Sequence, residues 1–154
     1  MKIQEVSLTD EVLEQLIALS KDWEAENSCY GYCANQREDI EGNRIFLAEE
    51  ESRTIGYLFG HGFKSENMRS IMPEGSDCFE VEELYVCPGF RSQGIGSALF
   101  RFASEAVKAD AEYMVLSTAT KNWQAIFHFY LDELGMQFWS ARLFTRIRDD
   151  AESN

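Results

Sequence analysis

The sequence predicts a single α/β domain: a mixed sheet of six or seven strands with about four helices on its two faces. Three observations lead there. Strand-period and helix-period segments follow one another in the order β, α, α, β, β, β, α, β, α, β. The early strand segments are joined by a short hairpin turn, which implies antiparallel pairing. The chain has 154 residues, 45% of them hydrophobic and 13% aromatic, enough for one core and too apolar for a disordered chain.

Residues 2–7 read as a short strand. Thr9 is a good N-cap, with Asp10 and Glu11 in the first turn where negative charge suits the helix dipole. Val12, Leu13, Leu16, Ile17 and Leu19 then form a helical apolar stripe running to about Ala25. Residues 28–41, broken by glycine and aromatics, hold a second short helix. Residues 44–50 and 54–63 form the two strands of a hairpin. Residues 64–77 are turn-rich and read as a loop. Residues 78–86 are a strong strand, ended by Pro88 and Gly89.

In the second half, Ile95, Leu99, Phe102, Ala103, Ala106 and Val107 give residues 94–108 a helical stripe. Residues 113–119 are a short apolar run of the kind buried on both faces. Residues 122–134 are the last helix, closed by Gly135. Residues 136–147 alternate well enough for one or two strands. The domain is thus 1–148, with 149–154 a frayed tail.

Lys and Arg number 14 and Asp and Glu 27, a formal net charge of -13. That balance argues against a nucleic-acid partner, which needs a basic face, and against an anionic membrane surface. It suits a cationic substrate. No stretch approaches the ~20 apolar residues of a membrane span, and the N-terminus lacks the apolar run of a signal peptide. A cytoplasmic protein is expected, with Cys29, Cys33, Cys78 and Cys87 as free thiols. Cys29 and Cys33 are spaced for one helix face, yet the chain has two histidines and no C-x-x-C, so no metal site is expected.

The chemistry-bearing stretch is Val86-Cys87-Pro88-Gly89-Phe90-Arg91-Ser92-Gln93-Gly94-Ile95-Gly96-Ser97-Ala98-Leu99. A strand stops, a basic turn follows and two glycines open an apolar helix. Free N–H groups at a helix N-terminus, with the dipole behind them, make an anion cradle. Glycine lets a phosphate approach the backbone without a Cβ in the way. A Walker loop fails because Gly96 is followed by Ser97-Ala98 rather than Lys-Ser/Thr. A dinucleotide fingerprint fails because Leu99 stands at its third glycine. What remains is [RQ]-x-x-G-x-[GA], as Arg91 to Gly96.

With that motif the sequence resembles the GNAT superfamily of acetyl-CoA-dependent N-acetyltransferases. The resemblance covers roughly residues 42–147 and is most specific over 80–99. Glu80-Val81-Glu82-Glu83-Leu84-Tyr85-Val86 is similar to the family's fourth strand. Asn122, Ala125, Tyr130, Leu134, Gly135 and Met136 resemble the N-x-x-A…Y…L-G-[FM] ending after its fifth. The resemblance implies a GNAT-like sheet splayed between those strands, with acetyl-CoA as co-substrate in the opening. It implies that pantetheine meets the backbone of Leu84, Tyr85 and Val86, and that pyrophosphate meets the N–H groups of Arg91, Ser92, Gln93, Gly94, Ile95, Gly96 and Ser97. A hydrogen bond from Asn122 to pantetheine is implied too, beside its N-cap role. The side chains of Leu84, Val86 and Leu99 are then packing.

Amine acetylation needs a deprotonated nucleophile, an oxyanion donor and a proton for the departing thiolate. The two-residue strand period puts Glu80 and Glu82 on one face and Glu83 on the other. Glu82 is the first candidate base, directly or through water, and Glu80 the next; a bulge would change which glutamate faces the cleft. Tyr130 is the candidate acid toward the coenzyme sulfur. The Ala125–Gly135 spacing is about two residues longer than the family's, so a helix irregularity would decide between Tyr130, Phe129 and His128. Cys87 has no activating base nearby in sequence and reads as packing.

The acceptor side offers Trp23, Glu24, Glu26, Tyr30, Tyr32, Glu38 and Asp39. Aromatics with carboxylates suit a small cationic amine of aminoglycoside or polyamine type; a merely solvated acidic face is the competing reading. A protein or peptide amine and a non-catalytic CoA-binding sensory module are the alternative functions. A homodimer is a possible assembly.

Overall fold

The computed structural model describes residues 1–148, so the expected tail at 149–154 lies outside the described residues. The elements run β1 (Lys2–Val6), α1 (Asp10–Glu26), α2 (Arg37–Ile40), β2 (Arg44–Glu50), β3 (Arg53–Lys64), β4 (Asp77–Val86), α3 (Ile95–Val107), β5 (Tyr113–Leu116) and α4 (Trp123–Phe127). Thr9 caps α1 through its side chain, accepting from the Val12 N–H at 3.2 Å. A 3₁₀ turn, Pro88–Phe90, bridges β4 and α3, and α4 passes directly into a π-helical turn, His128–Glu133.

Five strands make one mixed sheet in the order β1-β2-β3-β4-β5. The first four pair antiparallel and β5 joins β4 in parallel. The α/β class holds, but among the described residues the strand count is five rather than six or seven. The difference lies at the C-terminus: residues 136–147 pair with no strand. For that reason β5 is an edge, and its four residues are half-buried instead of covered on both faces.

Each sheet face has its own core. Toward α1 and α2 lie Leu13, Leu16, Ile40, Ile45, Leu47, Tyr57, Phe59 and Tyr85. Toward α3 lie Phe46, Leu58, Phe79, Val81, Ile95, Leu99, Ala103 and Val107. The alternation along β2 (Ile45 and Leu47 one way, Phe46 and Ala48 the other) is what a strand covered on both faces requires.

Two departures from regular sheet position the site. The β3–β4 register shifts between Phe59, opposite Glu83, and Gly60, opposite Val81, which leaves Glu82 as an extra residue in a β-bulge. Gly60 permits it: a Cβ there would collide with the Glu80 carbonyl oxygen and lie 2.8 Å from the Phe79 ring. The second departure is a parting of strands. β5 pairs only with Cys78–Val81, so among the described residues β4 runs on to Val86 without a neighbouring strand on that side.

Candidate active site

The bulge reorders the glutamates. Glu80 and Glu82 do not stand alone on the α1 side of the sheet, because the extra residue turns Glu83 there as well. Its carboxylate Oε1 accepts from Tyr57 Oη at 2.7 Å, Asn35 Nδ2 at 2.9 Å and Tyr32 Oη at 3.1 Å. Burial pushes the Glu83 carboxyl up, against the lowering effect of those three donors. Burial, with Glu83 close by, likewise raises the Tyr57 and Tyr32 hydroxyls. Glu83 thus clamps the segment after α1 onto β3 and β4.

Glu82 is exposed and turns to His61, whose Nδ1 lies 3.4 Å from Glu82 Oε1 and 3.2 Å from Asn43 Oδ1. Asn43 Nδ2 faces the Asp39 and Ile40 carbonyls at 3.1 and 3.0 Å, which fixes Oδ1 as the atom aimed at the histidine. Both neighbours of Nδ1 are acceptors, so that nitrogen carries the proton. Glu80 is half-buried; burial and then the Glu82 charge raise its carboxyl, with His61 opposing.

Glu82 and His61 line an open depression of about 310 Å³ with Glu38, Asp39, Glu41, Gly42 and Asn43. Four carboxylates thus meet in one hollow; His61 faces Glu82, Arg37 pairs with Glu41 at 3.3 Å, and Asp39 accepts the Gln36 N–H at 2.8 Å. Of the seven acceptor-side residues named from sequence, Glu38 and Asp39 are there. The others are placed elsewhere. Trp23 stacks between Tyr32 and Tyr85 at 4.3 and 5.1 Å. Glu24 accepts the Ala34 N–H. Glu26 binds Arg91. Tyr30 is exposed beside Lys121 and Phe144.

The parting of strands and the glycine turn lie together. The Cys87 N–H reaches the Ile55 carbonyl at 2.9 Å, so alternation turns the backbone groups of Cys87, Tyr85 and Glu83 toward β3. Those of Leu84 and Val86 turn toward the opening. Tyr85 backbone is therefore engaged in the sheet, and the edge facing the opening consists of its two neighbours, the Val86 carbonyl already taken by Arg91 Nε at 2.8 Å. The side chains of Leu84 and Val86 pack on the α3-side core, as does buried Ile95.

Arg91, Ser92, Gln93 and Gly94 are exposed at the turn. Ser92 and Gly94 adopt left-handed backbone, φ 63° and 82°. Gly94 caps α3 without a side chain, and the Ala98 N–H to Gly94 carbonyl bond (3.0 Å) opens the helix. The N–H groups of Ile95, Gly96 and Ser97 consequently have no acceptor within it. These groups fit a pyrophosphate-bearing coenzyme. Gly96 has a second reason to be glycine, since a Cβ would come within 3.2 Å of the Phe129 ring.

Asn122 caps α4, accepting weakly from the Ala125 N–H at 3.5 Å. The helix leading to Gly135 widens into the π turn, with Leu134 N–H bonding the Phe129 carbonyl at 3.0 Å. That irregularity separates the three candidates. His128 is exposed and pairs with Asp132 and Glu133, Phe129 packs toward Gly96, and Tyr130 turns inward. Its hydroxyl is pushed up to about 12, by burial first and then by Cys29. Cys29 and Cys33 do not share a helix; Cys29 bridges to Thr120. Among the described residues no group of three or more His, Cys, Asp or Glu is placed to hold a metal.

Sequence reasoning missed His61 and Asn43 as neighbours of the base candidate, and Glu83 as the clamp. Gly56, Gly60 and Gly62 within one strand were the available signal, since glycine inside a strand marks bulges and close backbone approach.

An open β4 edge running into a glycine-started helix is the architecture that the GNAT resemblance implies. A model of the Acetyltransferase (GNAT) domain matches residues 41–132, and the chain belongs to the GNAT acetyltransferase family. No curated protein matches the sequence. Among solved structures, the aminoglycoside N-acetyltransferase AAC(6')-Iy in complex with CoA is 18% identical with a TM-score of 0.65, covering 96% of this chain and 100% of its own. Aminoglycoside 6'-N-acetyltransferase AAC(6')-IG from Acinetobacter haemolyticus is 19% identical, TM-score 0.64, covering 97% and 100%. A ribosomal-protein-alanine N-acetyltransferase from Brucella melitensis biovar Abortus 2308 is 16% identical, TM-score 0.61, covering 95% and 100%. At these identities the likeness is one of fold, and it spans proteins named for different acceptors.

Proposed function

We propose that this acetyltransferase moves an acetyl group from acetyl-CoA to a primary amine, and that the acceptor is a small cationic amine of polyamine or aminoglycoside type. The observation that carries the acceptor class is the hollow in which Glu38, Asp39 and Glu41 meet Glu82. A lined concavity sums several weak terms, each only ~1 kcal/mol at 4 Å in water, into a field that gathers cations. CoA in the AAC(6')-Iy structure supports the choice of donor.

Bound acetyl-CoA supplies an activated thioester. The chain's own groups do the rest. The free edge at Leu84 and Val86 and the N–H groups of Ile95, Gly96 and Ser97 hold the two ends of the coenzyme, with Arg91 to Gly94 shaping the turn and Asn122 at the start of α4. Glu82, held by His61, takes the amine proton directly or through water. Glu80, its carboxyl raised, stands next to it as the second acceptor. Tyr130 keeps a proton at its hydroxyl throughout the neutral range and acts as the acid.

Residues 1–148 act as one domain in this reading, supported by two cores on one sheet. Exposed Leu143, Phe144 and Ile147 favour a homodimer, which sedimentation would reveal. Four free cysteines suit a reducing cytoplasm; among the described residues no helix is long and apolar enough to cross a membrane. The test of the donor is calorimetry with CoA: micromolar binding is expected, and no binding would remove the reading.

A further inference from the structure

Arg91 begins the glycine turn, yet its guanidinium is not free to meet an anion. Nη2 reaches both carboxylate oxygens of Glu26 at 2.9 and 3.1 Å. Nε donates to the Val86 carbonyl at 2.8 Å. The guanidinium lies over the Tyr85 ring, 5.4 Å from its centre, and Tyr85 Oη donates to Glu26 Oε1 at 3.0 Å. Glu26 is the last residue of α1, and its side chain is 21% exposed. One carboxylate therefore ties together the end of α1, the end of β4 and the start of the turn.

The turn needs such a tie. Ser92, next to Arg91, holds a left-handed backbone that a serine rarely adopts, and Gly94 follows in the same region. Released from its anchor, the segment 91–93 gains freedom to relax, and the N–H groups that open α3 lose their fixed approach. We infer that Glu26 is a positioning residue for the coenzyme, acting through Arg91 to hold the turn in its anion-binding form. Glu26, counted from sequence among acceptor-side carboxylates, thus serves the other substrate. A carboxylate beside a polyanion's site is otherwise repulsive; here its charge is matched by the arginine it holds.

The inference rests on the coenzyme reading above. Its test is CoA binding by calorimetry to the wild type, Glu26→Gln, Glu26→Ala, Arg91→Ala and the Glu26→Ala/Arg91→Ala double variant, with acetyl-CoA kinetics alongside. Glu26→Gln keeps the side chain's size, so it reports even if the alanine variant folds poorly. Losing a charge-assisted, two-oxygen contact should weaken CoA binding about tenfold. It should raise KM for acetyl-CoA and leave kcat at saturation nearly unchanged. The double variant should bind no worse than Arg91→Ala alone, because Glu26 acts only through that arginine. Additive losses, an unchanged Kd for Glu26→Gln, or tighter binding by a released Arg91 would each overturn the inference. If the wild type itself binds no CoA, the coenzyme reading falls and this inference with it; wild-type binding with an unmoved Glu26→Gln removes the inference alone.

Discussion

Glu82 Oε1 lies 3.4 Å from His61 Nδ1, across a bulge that exists because residue 60 is glycine. The pair joins the two halves of the proposed chemistry: a proton acceptor at the end of a strand edge, and the acidic hollow that collects its substrate. Glu82→Gln keeps shape and removes proton acceptance. Turnover at neutral pH should fall ~10²–10⁴-fold if Glu82 accepts directly, and less through a water relay. CoA binding by calorimetry should not move. His61→Ala should lower turnover by a smaller factor, since it removes only the group that orients Glu82.

The bulge itself can be tested. Gly60→Ala drives a methyl group into the Glu80 carbonyl, with backbone on one side and the Phe79 ring on the other. A loss of about 3 kcal/mol or more is expected in urea unfolding. Gly62→Ala, whose nearest neighbour would lie 3.7 Å away, is the control and should stay close to wild type.

Glu83 gives a pH signature in stability. Its carboxyl is raised in the folded state, so ionising it costs the fold. Its contribution is full below the ordinary value of 4.5 and is lost as pH rises through the elevated one. Glu83→Gln cannot ionise. Comparing the two by urea unfolding from pH 4 upward, the wild type should lose ground relative to the variant as pH increases. A constant gap would mean that Glu83 titrates normally.

Much of this architecture is legible in the sequence, and the failures have physical causes. The period-two and helical stripes locate all five strands and the helices because both faces of the sheet are covered, so the pattern has something to report. The 136–147 segment misleads for the same reason: alternation records what could pair, and no strand pairs with it here. Glu80 and Glu82 share a face as the strand period predicts, but one inserted residue, Glu82, brings Glu83 to that face as well; only the glycines of the opposite strand carry that information. His61 and Asn43 are 18 residues apart and meet Glu82 only through tertiary pairing, which no local pattern encodes.

Tyr130 offers a check on the acid. With its hydroxyl pushed up to about 12, it remains protonated at any practical assay pH. Tyr130→Phe should lower kcat by ~10²-fold with little change in CoA affinity. The wild-type rate should show no loss from this group below about pH 10. A variant with full activity would return Tyr130 to a packing role.

The most direct measurement of the central claim is thiol release from acetyl-CoA with a polyamine as acceptor, followed as salt is raised. The account predicts saturable, amine-dependent release, with KM for the polyamine climbing steeply with ionic strength while kcat holds, because the acidic hollow acts through screened charge. No amine-dependent thiol release, or a KM indifferent to salt, would contradict it.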